Sequence, residues 1–372
     1  MKITLLQGAF LPVPPLRGGA VEKMWFLLGQ EFARLGHEVT HVSRLCDDLP
    51  ASETIAGVRH IRVPGYEQPK NALRLKWRDL CYSFRACRAA PAADVVVTNT
   101  FWSPLLLKPA QGAIYVDVQR MPKGQMRLYR RAARLRANSS SVQAAILAQT
   151  PAAAPRVRVI PNPLPFIPSH GVRWKAKERT VLYVGRLHPE KGIELLLAAW
   201  SQIQADGTLP GWKLKLIGPS DPAHGGGGER WLNSLKIRHA DETILWLPPL
   251  YDIDALNHAY ERASVFVYPS LATQGETFGL SVLEAMAWGA VPVVSGLACF
   301  RDFVEPARNG FVFDHTGALP AENLAQALVQ AADSAALACG QAAVEVRRTH
   351  HIQTIAAQFL DDFATLTPAR PS

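Results

Sequence analysis

Residues 265–294 read VFVYPSLATQGETFGLSVLEAMAWGAVPVV, and this run identifies the fold class. Its two ends, 265–268 and 291–294, are rich in β-branched and aromatic residues, the composition of buried strands. The apolar spacing between them predicts a helix that starts near Gly279 and ends at Gly289. A strand, a helix and a second strand in this order make the βαβ unit of a parallel sheet.

Short β-branched runs recur along the whole chain, each followed by apolar residues at helical spacing. Besides the two runs above, the predicted strands are 2–6, 39–42, 95–98, 114–116, 135–138, 157–160, 180–184, 213–217, 244–247 and 311–313. Strands that alternate with helices form parallel sheets, and this number of strands fits two doubly wound sheets better than one. We therefore predict the α/β class with two Rossmann-like domains.

The domain boundary is predicted from proline. The chain has 372 residues, more than one hydrophobic core usually serves. Pro161, Pro163 and Pro165 lie close together and mark a linker, because proline cannot continue a helix. The predicted domains are 1–163 and 164–345. Residues 346–372 then hold a C-terminal amphipathic helix, read from about Glu345 to Thr365, which we expect to pack back on the N-terminal domain.

The composition is that of a folded chain in a reducing compartment. Five cysteines, at positions 46, 81, 87, 299 and 339, form no C-x-x-C pair, which argues against a disulfide framework or a zinc site. No uninterrupted apolar run reaches the roughly 18 residues of a transmembrane helix. We expect a cytoplasmic protein, either free or peripheral on the inner face of the cell membrane.

The positive charge is concentrated in the first half of the chain. Residues 1–163 hold 23 Lys and Arg against 10 Asp and Glu, a balance of +13, whereas residues 164–372 hold 17 against 21, a balance of −4. Two stretches, Lys70–Arg88 and Arg120–Arg136, carry much of the excess. In the first stretch Trp77 lies on the apolar face of a basic amphipathic helix, which suits an anionic membrane surface. A core-facing helix with a solvated basic side, or an anionic soluble acceptor, explains the same pattern.

Glu276 and Glu284 are the first candidate site residues. A helix start carries a partial positive charge and presents backbone N–H groups, so the helix predicted to start near Gly279 predicts a phosphate site at residues 277–280, that is Thr277, Phe278, Gly279 and Leu280. Glu276 precedes this helix and Glu284 lies more than a turn inside it, so both carboxylates can accept hydrogen bonds from sugar hydroxyls. An ordinary solvated glutamate is the alternative, but the residues around Glu284 are apolar, and a carboxylate there needs a partner.

Arg186 and Lys191 are the second pair. A predicted strand ends at Gly185 and a helix starts near Lys191, so both cations project beyond the carboxyl end of a strand, where doubly wound sheets bind ligands. Two cations there can neutralise the charge on a departing diphosphate. Surface charge on a loop is the alternative. Gly18 and Gly19 precede another helix and allow close approach of a ligand, whereas the tract 224–228, HGGGG, is typical of a flexible surface loop.

Together these segments resemble the large family of retaining GT-B glycosyltransferases whose signature is E-x7-E, known as family four. Seven residues separate Glu276 from Glu284. The resemblance also covers Val184-Gly185-Arg186 with Lys191-Gly192, Pro161-Asn162, Pro269-Ser270 and Ala290-Val291-Pro292-Val293-Val294. It implies a GT-B fold, in which two Rossmann-like domains face each other across a donor and acceptor cleft. It also implies transfer of a hexose from a UDP- or GDP-sugar to a hydroxyl acceptor, such as a lipid-linked or polysaccharide-precursor sugar.

The resemblance implies a role for each candidate residue. Glu284 binds the donor ribose, Glu276 contacts hydroxyls of the transferred sugar, and Arg186 and Lys191 bind the diphosphate. The remaining donor-binding residues it implies are Gly18, Gly19, Leu250, Thr277, Phe278, Gly279 and Leu280, with the nucleobase near Leu250. No metal or other cofactor is expected, because cations and a helix end replace it.

One departure from the family concerns the N-terminal domain. Members commonly carry a histidine, often as His-Asp, after a strand near the transferred sugar. The matching stretch here, residues 114–119, reads IYVDVQ and has no histidine. Asp117 is therefore a candidate for the active centre, either in place of the pair's acid or as a positioning group.

Other classes of protein remain open at this stage. A GT-B phosphorylase or a nucleotide-sugar epimerase uses the same kind of cradle. A dinucleotide oxidoreductase is disfavoured by the missing G-x-G-x-x-G. A nucleic-acid binder would suit the basic charge, but the cations are not organised with aromatic residues into a known binding module, so no nucleic acid is expected.

Overall fold

A computed structural model describes residues 1–16, 19–46, 49–69 and 71–367. The chain divides into two compact units. Unit 1 contains residues 1–167 and the C-terminal residues from 350 onward, and unit 2 contains residues 168–349. The sequence-predicted boundaries, after 163 and 345, lie four residues from these positions. The chain changes unit later than predicted because residues 164–167 still pack on unit 1, where the N–H of Leu164 donates to the carbonyl of His350.

Unit 1 is built on a sheet of eight strands with helices around it. The strands are β1 (Lys2–Leu6), β2 (Glu38–Leu45), β3 (Ser52–Ile55), β4 (Val58–Pro64), β5 (Val95–Thr98), β6 (Ala113–Val118), β7 (Arg134–Ala137) and β8 (Val157–Val159). Their order is β3-β4-β2-β1-β5-β6-β7-β8, all parallel except the β3–β4 pair. The first helices are α1 (Ala20–Arg34), α2 (Ala72–Ala89), α3 (Ser103–Leu106) and α4 (Ser140–Gln149).

Unit 2 is built on a parallel sheet of six strands. They are β9 (Glu178–Val184), β10 (Lys213–Ile217), β11 (Ile244–Leu247), β12 (Ala263–Tyr268), β13 (Val291–Ser295) and β14 (Phe311–Phe313). The helices are α5 (Ile193–Ala205), α6 (Glu229–Arg238), α7 (Ile253–Arg262), α8 (Leu280–Ala287), α9 (Pro320–Ala332), α10 (Leu337–Ala343) and α11 (Val346–Thr349). The predicted α/β class with two parallel-sheet domains is confirmed.

The strand order of unit 2 positions its candidate site. The order is β11-β10-β9-β12-β13-β14, so the chain runs outward from β9 in one direction and outward from β12 in the other. The strand order therefore reverses between β9 and β12, and the carboxyl edge at such a point is where doubly wound sheets bind their ligands. Arg186 and Lys191 follow β9, and Glu276 follows β12.

The predicted tail helix is broken in two. Residues 346–349 form α11 within unit 2, and α12 (Ile352–Ala364) belongs to unit 1. The break lies at His351, whose extended backbone and side chain cap the start of α12 by accepting a hydrogen bond from the N–H of Gln353. Helix α12 packs on the aromatic residues of α1: the ring centroids of Trp25 and Phe359 are 5.0 Å apart.

The β3–β4 hairpin was not predicted from the sequence. Its two strands are antiparallel and pair Ser52 with Ile61 and Ile55 with Val58. Strand β4 reads VRHIRVP, in which arginine and histidine interrupt the apolar run. The sequence therefore lacks the apolar pattern that identifies the other strands. Two polar residues of β4, His60 and Arg62, are buried; Arg62 lies 2.6 Å from Glu53 on β3 and donates to the carbonyl of Val13 at 3.1 Å.

His41 and His60 form a buried pair beneath this hairpin. They lie opposite each other on β2 and β4, and their stacked rings have centroids 5.4 Å apart. Neither ring is exposed, and within the described ranges their nitrogens have no hydrogen-bond partner. Burial, and then the nearby Arg62, lowers the pKa of His60 to about 4. Burial also lowers the pKa of His41 well below its usual range.

We expect the free energy of unfolding to decrease as the pH falls from about 6.5 toward 4, because the unfolded chain binds protons at these histidines before the folded chain does. His60 alone contributes about 2 kcal/mol of this loss between about pH 6.5 and pH 5. Urea unfolding of the wild type and of His60→Leu at about pH 7.5 and pH 5 measures it. Equal losses in the two proteins would contradict the expectation.

In the part of the chain that the structure describes, every helix is too short or too polar to cross a bilayer.

Candidate functional site

The candidate site is the junction of two loops at the carboxyl edge of the unit 2 sheet. One loop follows β9 and contains a short 3-10 helix, Pro189–Lys191; the other follows β12 and leads into α8. The N–H of Leu271 donates to the carbonyl of Glu190 at 2.8 Å and ties the two loops together. At the junction, Nζ of Lys191 lies 2.6 Å from Oε2 of Glu276.

Lys191 and Glu276 form a buried ion pair. Only 6% of the Lys191 side chain and 10% of the Glu276 side chain are exposed. Removing two charges from water costs several kcal/mol per ion, so a buried pair is weak evidence for a stabilising role. Tyr268 lies beside the pair: its ring centroid is 5.5 Å from Nζ of Lys191, and burial, and then the negative charge of Glu276, raises the pKa of its hydroxyl. A costly pair at the point where the strand order reverses is a candidate for function.

Two stacked tyrosines lie next to the Lys191–Glu276 ion pair. Tyr183 at the end of β9 and Tyr268 at the end of β12 stack with centroids 5.7 Å apart. Burial, and then the charge of Glu276, raises the pKa of both hydroxyls well above the usual range, so both stay protonated and donate hydrogen bonds. The hydroxyl of Tyr183 donates to the carbonyl of Arg186 at 2.9 Å, which holds the start of the β9 loop.

Two glycines allow the loops to approach each other and the helix to begin. Gly192 has φ +71°, and a Cβ there would lie 2.0 Å from the carbonyl oxygen of Pro269. Gly279, with φ +86°, caps the start of α8, and a Cβ there would lie 2.5 Å from Cε1 of Phe300. No side chain of the described residues caps this helix start. The N-terminus of α8 thus has the bare backbone that suits an anion.

Glu284 lies on α8, half-buried and held by a neighbouring helix. Its Oε2 accepts a hydrogen bond of 2.8 Å from the hydroxyl of Tyr260 on α7. Burial, and then Glu284 itself, raises the pKa of Tyr260 well above its usual range, so that hydroxyl remains a donor. The helix that was predicted between Gly279 and Gly289 runs from Leu280 to Ala287, which places Glu284 more than a turn inside it, as predicted.

Arg186, unlike Lys191, does not form a buried ion pair. Its side chain is 41% exposed; Nη2 lies 2.8 Å from Oε1 of Glu190, and Nη1 donates to the carbonyl of Gly225 at 2.8 Å. The two cations therefore differ: Lys191 forms a buried ion pair with Glu276, whereas Arg186 is partly exposed.

The glycine tract 225–228 is half-buried and hydrogen-bonded to neighbouring loops. Its N–H groups bind neighbouring loops: Gly227 donates to Leu187 at 2.8 Å, and Gly228 donates to Ser220 at 2.7 Å. A Cβ on Gly226 would lie 2.1 Å from the carbonyl of Ser220, so the tract packs directly on the loop after β10. The glycines serve close packing beside Arg186.

The remaining donor-site candidates are spread along the same edge. Phe278 is buried against Phe303, with ring centroids 5.4 Å apart, and Thr277 and Leu280 are half-buried beside it. Leu250 follows β11, which is two strand positions from β9, or roughly 10 Å. It is half-buried.

Asp117 lies at the end of β6 in unit 1, enclosed by hydrogen-bond donors. Its carboxylate accepts from Nη1 of Arg136 and Nε1 of Trp25, both at 2.7 Å, and from Nε2 of Gln119 at 2.9 Å. Neither the Asp117 nor the Arg136 side chain is exposed. Asp117 is thus an internal ion-pair partner that can influence a ligand only through the groups it holds.

Gln119 is one of those groups. It is the first residue after β6, and its amide exchanges two hydrogen bonds of 3.2 Å with the amide of Asn162. Asn138, the first residue after β7, donates to Oε1 of Gln119, also at 3.2 Å. A row of amides therefore follows β6, β7 and β8 at the carboxyl edge. Sequence reasoning missed this row, although Gln119 lies three residues beyond a predicted strand, Asn138 ends another and Asn162 follows Pro161.

Less of the basic stretch Arg120–Arg136 is exposed than its sequence predicts, because Arg134 and Arg136 are buried. Arg134 pairs with Asp362 on α12 at 2.8 Å. Gly19 is the N-cap of α1 with φ +99°. Gly18 lies outside the described residues.

Sequence reasoning also missed the tyrosines that organise the unit 2 site. Tyr183 and Tyr268 were included only as strand residues, and Tyr260 was not singled out. The available signal was that Tyr183 and Tyr268 each stand at or next to the end of a predicted strand, beside a candidate loop. Among the described residues, no three His, Cys, Asp or Glu side chains group closely enough to hold a metal ion.

Comparison with solved structures places the fold in the GT-B class of glycosyltransferases. Sucrose-phosphate synthase from Thermosynechococcus elongatus matches 98% of this chain and 99% of its own, with a TM-score of 0.76 and 23% identity. The Anabaena protein HepE, solved in complex with UDP-glucose, matches 98% and 100%, with a TM-score of 0.68 and 18% identity. At these identities the likeness establishes the fold.

Sequence comparison finds similarity to glycosyltransferases in the second half of the chain. Residues 170–342 match the model of the family described as glycosyl transferases group 1. An uncharacterized glycosyltransferase of Haemophilus influenzae is 31% identical over 156 residues, which are 41% of this chain and 40% of the relative. The match thus spans about two fifths of that relative's length. Residues 170–342, which match this family model, contain Lys191, Glu276 and Glu284.

Proposed function

We propose that the chain is a retaining glycosyltransferase that moves a hexose from a UDP- or GDP-linked sugar to a hydroxyl acceptor. The observation that carries this proposal is the buried Lys191–Glu276 pair, which lies beside the start of α8 where the strand order reverses. A cation, a carboxylate and a bare helix start in one place suit a ligand that has both phosphates and sugar hydroxyls. The match to the group 1 family model supports the reaction class, and the UDP-glucose bound by HepE supports UDP as the nucleotide.

The diphosphate is proposed to bind between the start of α8 and the two cations. Backbone N–H groups at Phe278, Gly279 and Leu280 donate to its oxygens, and Lys191 and Arg186 offset the charge that accumulates as it leaves. These groups supply positive charge without a metal, so we propose metal-independent transfer. Thr277 adds a hydroxyl to the same loop. Gly18 and Gly19 are proposed to contact the phosphates as well.

The two glutamates are proposed to bind the two sugars of the donor. Glu284 accepts hydrogen bonds from the ribose hydroxyls, and Tyr260 holds its carboxylate in place. Glu276 accepts from the transferred hexose, while Lys191 and Tyr268 fix its orientation. Leu250 is proposed to lie near the base. In a retaining reaction the acceptor attacks on the face from which the diphosphate leaves, and the anomeric proton of the product in ¹H NMR reports the configuration.

Unit 1 is proposed to contribute Asp117 as a positioning group. Its carboxylate is saturated by Arg136, Trp25 and Gln119, which favours an indirect role over direct contact with the hexose. We propose that Gln119 presents the polar surface in this place, and that Asp117 fixes its orientation. The acceptor is proposed to be a lipid-linked or polysaccharide-precursor sugar, in keeping with the basic first half of the chain.

A thermal-shift panel of UDP, GDP, ADP and their hexose conjugates, with and without EDTA, tests the proposal. We expect UDP and a UDP-hexose to raise Tm by several degrees at saturating concentration, because a ligand that binds only the folded chain stabilises it, and we expect EDTA to change nothing. NADH is the control ligand. A shift with NADH alone, or loss of the UDP shift in EDTA, would contradict the proposal.

A further inference from the structure

Helix α2 turns a row of large apolar side chains toward solvent. Leu73, Trp77 and Phe84 are exposed by 78%, 67% and 60%. Their spacing of four and seven residues places them on one face of the helix. Soluble domains rarely leave such a contiguous row uncovered unless it binds something.

The opposite face of α2 already fills the core of unit 1. Tyr82, Ala86 and Cys87 are buried there and pack in one cluster with strand residues such as Val42 and Val96. The helix therefore has two apolar faces, of which the described residues cover one. The exposed row is a second face, and this excludes the core-facing explanation for it.

Aromatic side chains extend the exposed row across unit 1. The indole N–H of Trp102 donates to the carbonyl of Lys76 at 3.3 Å. Phe101 packs edge-on against Trp102, with centroids 4.8 Å apart, and lies 6.4 Å from the ring of Tyr129. The surface of α2 is thus continuous with the turn around residue 129.

That turn, like the exposed face of α2, combines an apolar side chain with cations. Leu128 is 53% exposed, and Arg127 and Arg130 on either side of it are exposed too. The two basic stretches that are separate in sequence therefore form one surface, which mixes large apolar side chains with cations.

The charge of this surface is strongly positive. Helix α2 contains five Lys and Arg against one Asp. Arg78 and Arg85 pack over the ring of Tyr66, whereas Arg74 and Arg88 are exposed beside the apolar row. We define the docking face as Leu73, Trp77, Phe84 and Leu128 with Arg74 and Arg88.

We propose that the docking face binds an anionic membrane surface, with Leu73, Trp77 and Phe84 entering the layer between headgroups and acyl chains. Apolar side chains flanked by cations match both parts of such a surface, because the chains bury the apolar row and anionic headgroups attract the arginines. Nucleic acid accounts for the cations but leaves Leu73 and Leu128 exposed. An apolar protein partner accounts for the row but leaves the arginines without counter-charges. The inference goes beyond the proposed reaction, and it does not depend on donor binding in unit 2.

Co-sedimentation with vesicles tests the proposal. The full chain is mixed with vesicles of phosphatidylcholine, with and without phosphatidylglycerol, and the bound fraction gives a partition coefficient. The variants are Trp77→Ser/Phe84→Ser and Arg74→Gln/Arg88→Gln. The matched control is Ile237→Ser: Ile237 is 79% exposed on α6 between Lys236 and Arg238, so it combines an apolar side chain with cations outside the docking face.

We expect the wild type and Ile237→Ser to bind the anionic vesicles equally and to bind pure phosphatidylcholine at least tenfold less. The double serine variant should bind the anionic vesicles about tenfold less than the wild type or weaker still, and the double glutamine variant about fivefold less per charge removed. All four proteins should unfold at the same Tm, because the changed side chains are exposed. Equal binding by the double serine variant and the wild type, or no binding of the wild type to anionic vesicles, would overturn the proposal. The wild type could instead bind a single-stranded oligonucleotide or form a dimer. If only the docking-face variants lose that property, the face binds another partner, and the membrane proposal is overturned.

Discussion

Replacing Glu276 with glutamine should lower kcat by about a thousandfold while the Kd for the donor changes by only a few fold. The carboxylate is proposed to bind the hexose as positive charge develops on it, so its negative charge matters most in the transition state. Glutamine keeps the size and hydrogen-bonding capacity of the side chain but removes the charge. Steady-state kinetics, with Kd measured separately by calorimetry, distinguish the two effects.

The same substitution should also destabilise the chain, because it leaves the ammonium of Lys191 buried without its counter-charge. Breaking a buried pair on one side costs about 3–5 kcal/mol. Lys191→Met in the Glu276→Gln background is the matched control, since it removes the orphaned charge and should restore most of the free energy of unfolding. The double variant should remain inactive. Recovery of activity together with stability would assign Glu276 a structural role only.

Replacing Glu284 with alanine should raise the Kd for the nucleotide sugar about a hundredfold. Each hydrogen bond that the carboxylate accepts from a ribose hydroxyl contributes about 1.5 kcal/mol at the low end of the range for charged acceptors, so loss of two such bonds weakens binding by about 3 kcal/mol. Because the ribose does not change during transfer, the binding is lost equally from ground state and transition state, and kcat at saturating donor should change little.

Tyr260→Phe is the control for Glu284→Ala. It removes the same internal hydrogen bond of 2.8 Å but keeps the carboxylate that is proposed to contact ribose. We expect its Kd to lie within a few fold of wild type and its loss of stability to be similar to that of Glu284→Ala, about 1–3 kcal/mol. If both variants weaken donor binding equally, Glu284 acts through the packing of α7 on α8.

Much of the unit 2 site could be predicted because its parts are local in sequence. The run 265–294 contains the strand, the helix start at Gly279 and both glutamates, and its spacing alone places Glu276 before the helix and Glu284 inside it. The buried contact between Lys191 and Glu276 could not be predicted from spacing. It joins residues 85 positions apart and depends on β9 and β12 being neighbours.

What the sequence could not predict concerns residues whose partners are distant. The composition of the glycine tract predicted a flexible surface loop but could not predict that the N–H of Gly227 donates to the carbonyl of Leu187, 40 positions away. Arg136 was counted as surface charge, but it is buried because Asp117, Trp25 and α12 enclose it. In α2 the apolar spacing indicated an amphipathic helix but left open whether Trp77 faces the core or the surface. The structure shows that Trp77 is exposed.

The most direct test of the central claim, that unit 2 holds a nucleotide-sugar donor at Glu276, Glu284 and Lys191, is calorimetric titration of UDP into three proteins: wild type, Glu284→Ala and Tyr260→Phe. We predict that UDP binds the wild type and Tyr260→Phe with similar Kd and binds Glu284→Ala about a hundredfold more weakly. Equal UDP affinity in all three proteins would contradict the assignment of Glu284 and of the donor site built around it.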